Sequence, residues 1–243
     1  MQYTWDFLIF LKPSLTGEGA YWQTLVRGLG WTILLSLVCW GLGLLLALGV
    51  GVARTLPWRW LSGAAAAYIH VFRNIPLLVQ VFLWYYVFPE VIPQAWGMAL
   101  KGMDPVLNQF ATLVVALSLY TAAKAAELLR TGIQAVPPGQ VAAARSLGFN
   151  LAQTYWHVLL PQAYRIILPP LTSDFLNVFK NSAVALTIGL LELTGRSRQM
   201  GEFSAHPFET FLAATLAYMA ITVCVMVGMR RLERRLALPG FGT

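Results

Sequence analysis

The stretch GLGWTILLSLVCWGLGLLLALGVGVA, Gly28–Ala53, contains no charged side chain. An uninterrupted apolar run longer than about 18 residues predicts a membrane-spanning segment. A span of this length must be helical, because the bilayer offers no other partners for its backbone polar groups. The whole chain agrees with this reading, since 58% of its 243 residues are hydrophobic and only 11% are charged, against about 25% charged residues in soluble domains. We therefore expect an all-α integral membrane protein.

Four further apolar segments bring the expected number of transmembrane helices to about five. The second segment, near Ser62–Phe88, is interrupted by Arg73, Asn74 and Pro76. Because proline lacks the N–H that a helix interior requires, we expect this span to be broken there. The other three segments lie near Gln109–Leu129, Ile166–Leu191 and Phe208–Met229.

The basic residues outside the spans indicate the orientation of the chain, because short cytoplasmic loops carry an excess of Lys and Arg. With the amino terminus outside, eight basic residues lie on the inner side, namely Arg54, Arg59, Arg145, Arg165, Arg230, Arg231, Arg234 and Arg235. Five then lie on the outer side, namely Lys12, Arg27, Lys101, Arg196 and Arg198. We therefore expect an outside amino terminus, which places the loop between spans three and four in the cytoplasm.

Small residues recur at spacings of four in the first span, at Gly43, Ala47 and Gly51. This spacing puts them on one helical face, where small side chains allow close helix approach inside a membrane. Two interpretations are open, namely ordinary packing within the chain and an interface with another subunit.

The remaining composition excludes several function classes. The net charge of +7 is explained by topology and by anionic membrane lipid, and no basic stripe with exposed aromatic residues suggests a nucleic-acid partner. The sequence contains no G-x-x-x-x-G-K-[ST], H-E-x-x-H or G-x-S-x-G motif, so we expect no nucleotide binding and no enzyme activity in this chain. Since His70, His157 and His206 are scattered along the chain, we expect no metal site and no cofactor.

One segment, QVAAARSLGFNLAQTYWHVLLPQA, is too polar to span a bilayer. Its first part is rich in helix formers, and Gly148 can stop a helix by adopting a left-handed conformation. Asn150 can then cap a second helix, which Pro161 is expected to end or kink. The segment therefore predicts a helix, a sharp turn and a second helix.

The first helix of this segment has a small and mostly apolar face. It is formed by Val141, Ala144, Leu147 and Gly148, and such a face suits docking into a groove of another protein. The alternative is a helix that rests on lipid, but the Trp-, Leu- and Phe-rich face of membrane-surface helices is absent.

The spacing of the segment resembles the signature loop of ABC importer permeases. That pattern is Glu-Ala-Ala, three residues, Gly, nine residues, Ile, one residue and Leu-Pro, and AARSLGFNLAQTYWHVLLP, Ala143–Pro161, matches its spacing throughout. Val158 conservatively replaces the Ile. Ala142 replaces the Glu, so this chain cannot offer the carboxylate that the family places there.

The resemblance extends to the polar amino acid branch of that family and covers nearly the whole chain. The matching segments are YIHVFRNIPLLVQVFLWYYVFPE, ELLRTGIQAVPPGQ and LPPLTSDFLNVFKNSAVALTIGLLELT. Three others, WDFLIFL, ARTLP and SAHPFETFLAATLAYM, resemble the glutamate/aspartate permease subunits most.

This resemblance implies the permease subunit of an ATP-driven importer in the bacterial inner membrane, with one permease domain, 1–243, and a cytoplasmic coupling loop, 137–165. The implied partners are an ATP-binding cassette ATPase dimer, a second permease subunit, a periplasmic solute-binding protein and membrane lipid. We expect Arg145 to make a polar contact with the ATPase. The implied coupling residues are Ala142, Ala143, Ala144, Arg145, Ser146, Leu147, Gly148, Leu160 and Pro161.

The implied substrate is glutamate or aspartate, and another polar amino acid such as glutamine, arginine or cystine is the alternative. A stand-alone channel or secondary transporter is a second class, for which inverted repeats would be expected. Candidate outer surfaces for the binding protein are Glu90–Asp104 and Arg196–His206.

Polar residues inside spans are expensive and usually face a cavity or a partner. On the third span, Glu127 lies three residues from both Lys124 and Arg130, which predicts internal ion pairs. The candidates for a substrate pathway are Arg73, Asn74, Lys180, Asn181, Ser182 and Thr187.

Overall fold

The computed structural model describes residues 3–15, 17 and 19–236. Apart from one isolated β-bridge between Pro13 and Ala20, the regular structure of these residues is helical. Short 3-10 turns lie at Phe7–Leu11 and Ser182–Ile188, and π-helical turns at Leu83–Val87 and Tyr155–Leu159. The α-helices are α1 (Tyr21–Ala53), α2 (Arg59–Asn74), α3 (Leu77–Phe82), α4 (Phe88–Val91), α5 (Gln94–Lys101), α6 (Pro105–Gln134), α7 (Pro138–Ser146), α8 (Leu151–Thr154), α9 (Leu160–Asn181), α10 (Leu193–Ser204) and α11 (Pro207–Leu236).

Among the described residues, three helices are long and apolar enough to cross a membrane by themselves, namely α1, α6 and α11. Two bent helix pairs also qualify if each pair counts as one span. The first joins α2 to Leu77–Val91, and the second joins Leu151–Ile188 to α10. The all-α class and the expected number of about five spans are therefore confirmed.

The second span is broken where its sequence predicts a break. α2 ends at Asn74, and the Ile75 N–H closes its last turn on the Val71 carbonyl at 3.2 Å. Ile75 is extended, as residues before proline prefer to be. A new helix starts after Pro76, whose carbonyl accepts from the Gln80 N–H at 3.1 Å.

The fourth span differs from the single segment expected near Ile166–Leu191. α9 starts earlier, at Leu160, and contains Pro169 and Pro170 in its interior. It passes into the 3-10 turn, which stops at Gly189, where φ is 95°. Glycine adopts this left-handed conformation without a Cβ penalty, so the chain turns there and begins α10.

The described residues divide into two compact units. Unit one contains those of Met1–Cys39, Pro76–Leu117 and Asn177–Cys224. Unit two contains those of Trp40–Ile75, Ser118–Leu176 and Val225–Thr243. A core cluster of unit one joins Ile9, Tyr21 and Met200. The core clusters of unit two are formed by Ala47, Ile69, Ala125, Ala126 and Leu171, and by Leu129, Ile133, Val136, Leu159, Ala163 and Ile167.

Within unit two, the small face of α1 packs against α6. A Cβ atom on Gly43 would lie 3.0 Å from Thr121 Cγ2, and one on Gly51 would lie 2.9 Å from Leu129 Cδ2. Ala47, between the two glycines, is buried. Of the two interpretations of the small face, packing within the chain is therefore confirmed.

We expect Gly51→Val to lower the free energy of unfolding by about 1–3 kcal/mol, because the added methyl groups would overpack the contact with α6. Denaturation in detergent, followed by tryptophan fluorescence, measures the change. Gly49→Val is the matched control on the same helix, since nothing lies within 4 Å of a Cβ at Gly49. Equal stability of the two variants would contradict the packing described for this face.

Candidate functional site

Helix α7 of the loop 137–165 ends in a left-handed glycine. The Phe149 N–H donates to the Ala144 carbonyl at 3.1 Å, and the Gly148 N–H donates to the Arg145 carbonyl at 3.0 Å. Gly148 has a φ of 83°, and nothing lies within 4 Å of its Cβ position. Glycine is therefore needed here for its backbone conformation and not for space. The predicted helix stop is confirmed.

Asn150 starts the next helical segment with a capping box. Its side chain accepts from the Gln153 N–H at 2.8 Å, and the Gln153 side chain accepts from the Asn150 N–H at 2.9 Å. The predicted cap is confirmed. The sequence predicts that Pro161 ends or kinks this segment, and an end at Pro161 is wrong. The chain stays helical through Tyr155–Leu159 and continues as α9. Pro161 lies just after the π-helical turn Tyr155–Leu159, where the regular α-helical hydrogen-bond pattern is already interrupted.

The outward surface of α7 differs from the face that the sequence predicts. Ala144 is buried and Val141 is half-buried, so both point toward unit two. Leu147 is 77% exposed. The surface available to a partner also contains the exposed residues Ala142, Ala143, Arg145, Ser146 and Gly148. The prediction of a single four-residue docking face is therefore wrong. Val141 and Ala144 are turned inward, whereas Leu147 and Gly148 are exposed.

Several contacts hold this loop on the rest of unit two. Val141 and Tyr155 pack against the buried cluster that lies where α6 ends and α9 starts. The Tyr155 hydroxyl donates to Thr55 Oγ1 at 3.0 Å. Within the loop, the Gln162 side-chain amide donates to the Gln140 side chain, which links α7 to the start of α9. The loop is therefore fixed to the end of α6 and to Thr55, which follows α1.

The ion pairs of unit two partly follow the sequence prediction. Arg130 donates to both carboxylate oxygens of Glu127, at 3.0 and 2.7 Å, which confirms one expected pair. Lys124 is bound elsewhere, 3.1 Å from the Asp174 carboxylate. The second basic partner of Glu127 is Arg73, at 3.8 Å. The expected Lys124–Glu127 pair is therefore wrong, because Asp174 on α9 is closer in space although it is distant in sequence.

The six residues predicted for a substrate pathway are divided between the two units. Unit two contains Arg73 and Asn74, and unit one contains Lys180, Asn181, Ser182 and Thr187. Ser182 is fully buried, and its hydroxyl donates to the Phe179 carbonyl at 2.7 Å. Thr187 is exposed, and its hydroxyl donates to the Val184 carbonyl at 2.7 Å. Ser182 therefore has no surface available to a solute in this conformation, whereas Lys180 and Thr187 are exposed.

The sequence prediction missed a fully buried carboxylate in unit one, Glu192. It accepts from Thr32 Oγ1 of α1 at 3.1 Å and from the Tyr218 hydroxyl of α11 at 2.9 Å. It also caps α10 by accepting from the Thr194 and Gly195 N–H groups, each at 3.0 Å. One side chain thus joins three helices.

A signal for Glu192 was present in the sequence. The fourth apolar segment is expected to end near Leu191, one residue before Glu192. An ionisable residue that directly follows an apolar run is a candidate for burial with partners, so its position marks Glu192. Its partners Thr32 and Tyr218 give no such signal.

A second buried carboxylate of unit one, Glu209, lies at the start of α11. It accepts from the Asp6 N–H at 2.8 Å and from the Tyr3 hydroxyl, and His206 Nδ1 lies 3.3 Å away. Lys12 donates to the Asp6 carboxylate at 2.6 Å, and this hydrogen bond holds the pKa of Asp6 below its usual value. The bonds from Asp6 and Tyr3 to Glu209 fix the amino-terminal segment to α11.

Within the part of the chain that the structure describes, no group of three or more His, Cys, Asp and Glu side chains is placed to hold a metal ion.

Residues 24–238 match the family described as binding-protein-dependent transport system inner membrane component. The chain belongs to this family. The match covers every span of this transport-system component and the whole loop 137–165. This family match agrees with the resemblance to ABC importer permeases that the spacing of the loop indicates.

Curated relatives and solved structures agree with this assignment. The glutamate/aspartate import permease protein GltJ of Escherichia coli strain K12 is 42% identical over 241 residues, which are 99% of this chain and 98% of that protein. The probable glutamine ABC transporter permease protein GlnM of Bacillus subtilis is 35% identical, over 84% of this chain and 89% of its own. A crystal structure of an amino acid ABC transporter with histidines matches with a TM-score of 0.79 and 32% identity, over 96% of this chain and 100% of that one. An inward-facing MetNI methionine ABC transporter shares the fold at 21% identity, with a TM-score of 0.74 over 89% of this chain and 98% of that one.

Proposed function

We propose that this transport-system component is the permease subunit of an ATP-driven amino acid importer, and that its substrate is glutamate or aspartate. The family match supports a role in binding-protein-dependent transport. The likeness to the amino acid ABC transporter supports the substrate class, and the likeness to GltJ over nearly the whole chain supports an acidic amino acid. Glutamine, arginine and cystine remain the alternatives within the same role.

The observation that carries this proposal is the anchored and partly exposed loop 137–165. It exposes an apolar side chain, Leu147, and a cation, Arg145, while Val141 packs against the buried cluster of unit two. A small exposed apolar and basic surface on a firmly held helix suits docking into a partner. The chain itself contains no phosphate loop. In the proposal, an ATP-binding cassette ATPase dimer therefore binds this loop and supplies the free energy of ATP hydrolysis.

The proposed topology has the amino terminus outside the bacterial inner membrane and the loop 137–165 in the cytoplasm. A periplasmic binding protein then delivers the solute to outer surfaces that include Glu90–Asp104 and Arg196–His206. A second permease subunit completes the complex within the lipid. Because Ala142 stands where the family has Glu, we infer a heterodimer in which the other permease supplies that carboxylate.

The test measures ATP hydrolysis. The complex that co-purifies with this chain is reconstituted in lipid together with a candidate binding protein. Glutamate, aspartate, glutamine and arginine are compared as added solutes. We expect glutamate or aspartate to raise the hydrolysis rate several-fold, while glutamine and arginine leave it near the basal rate.

Each outcome of this assay bears on a different part of the proposal. Stimulation by glutamine or arginine alone would keep the importer role and overturn the substrate. Absence of a co-purifying ATPase, under detergent conditions that preserve related complexes, would overturn the role and favour a stand-alone channel or secondary transporter.

A further inference from the structure

Unit two contains a cavity of about 240 Å³, and Arg73 is the one substrate-pathway candidate in its lining. Its lining comes from the end of α1 and from helices α2 and α6, namely Arg54, Ala66, Ile69, His70, Arg73, Glu127 and Arg130. Pockets for drug-sized ligands measure about 300–1,000 Å³, so this cavity fits a smaller group.

Positive charge exceeds negative charge around this cavity. Arg54, Arg73 and Arg130 each carry a guanidinium group, and among the described lining residues Glu127 alone carries a carboxylate. Arg130 binds that carboxylate through two nitrogens, and Arg73 lies 3.8 Å from it. Three positive charges therefore face a single carboxylate. In a partly buried site, such charges favour the entry of an anion, because Coulomb attraction strengthens as water is excluded.

The remaining donors of the cavity suit an oxyanion. Arg54 Nη1 donates to the Ser62 hydroxyl at 3.0 Å, which uses one of the five N–H groups of that guanidinium. Arginine binds phosphate and carboxylate groups through paired N–H donors. A cation would meet three guanidinium groups and is therefore disfavoured.

We propose that this cavity binds a small oxyanion, a phosphate or carboxylate group, between Arg54 and Arg73. The oxyanion comes from one of two sources. It is either the headgroup of an anionic phospholipid or a soluble anion, of which an acidic amino acid leaving the transporter is one example. Only that example depends on the proposed function, and the site itself does not.

The test measures the thermal unfolding midpoint of the purified complex at constant ionic strength, with chloride as the reference anion. The probes are inorganic phosphate, glutamate and short-chain phosphatidylglycerol, with phosphatidylcholine of the same chain length as the neutral lipid. We expect at least one probe to raise the midpoint in a saturable manner. In Arg54→Gln and Arg73→Gln, the half-saturating concentration should rise about tenfold or more, since each variant removes a charged hydrogen-bond donor.

Two control variants separate binding from a general loss of charge or of fold. Arg59→Gln removes an exposed arginine outside the cavity, on the same helix as Arg73, and should bind like the wild type. Arg54→Lys keeps the charge and should recover part of the affinity that Arg54→Gln loses. A saturable effect of phosphatidylglycerol alone identifies the lipid as the source, and an effect of phosphate or glutamate identifies a soluble anion. No saturable effect of any probe on the wild type, or equal weakening by Arg59→Gln and Arg54→Gln, would overturn the proposal.

Discussion

Replacing Glu192 with alanine is expected to lower the free energy of unfolding by about 2–5 kcal/mol, the largest stability effect we expect from one side chain. The carboxylate accepts four hydrogen bonds while fully buried. Without it, the Thr194 and Gly195 N–H groups lose their acceptor, and α10 loses its cap. The Thr32 and Tyr218 hydroxyls are left to find other partners. Chemical unfolding in a fixed lipid and detergent mixture, followed by circular dichroism, measures the change.

Glu202→Ala is the matched control for this prediction, because Glu202 lies on the same helix but is exposed. Its ion pair with Arg198 has both side chains 58% exposed, and such surface pairs contribute at most about 1 kcal/mol. Glu192→Gln should fall between the two, since an amide keeps one acceptor oxygen. If the Glu192→Ala and Glu202→Ala proteins were equally stable, the four bonds to Glu192 would not be a main support of unit one.

Replacing Gly148 with valine is expected to reduce ATP-driven uptake at least about tenfold while the subunits still assemble. A left-handed conformation costs an ordinary residue roughly 1–2 kcal/mol, and a β-branched residue more. The valine variant therefore ends α7 in another conformation and moves Arg145 and Leu147 away from the surface proposed for the ATPase. Uptake into proteoliposomes and the yield of intact complex on gel filtration are measured on the same preparation.

Gly139→Val serves as the control because Gly139 also belongs to α7, has nothing within 4 Å of its Cβ and does not have a positive φ. We expect near wild-type uptake from it. Unchanged uptake in Gly148→Val would exclude the loop 137–165 as the coupling element. Loss of assembly in both variants would show instead that α7 is needed for folding.

The sequence predicts best those features that depend on neighbours along the chain. The break at Pro76, the helix stop at Gly148 and the cap at Asn150 each follow from the covalent geometry or hydrogen bonding of one residue, and all three are confirmed. The spacing of Gly43 and Gly51 likewise indicates which face of α1 packs closely, although it does not name α6 as the partner.

Features that depend on distant residues were predicted poorly. Lys124 pairs with Asp174 and not with Glu127, because a residue fifty positions away lies nearer than one on the next helical turn. Ala144 faces inward because α7 packs on a core cluster that no local pattern reveals. The cavity beside Arg54 likewise forms only when residues from three helices meet.

The paired prolines of α9 have a mechanical consequence. Pro169 and Pro170 lie inside the helix and donate no hydrogen bond, so the carbonyls of Arg165 and Ile166 have no helical donor four residues later. Two adjacent backbone hydrogen bonds are therefore missing, which makes the helix more flexible there than in the turns on either side. The α9 backbone therefore bends more easily near Pro169 than elsewhere along its length. The position of this flexible point in α9 is set by Pro169 and Pro170, which have no N–H group to donate.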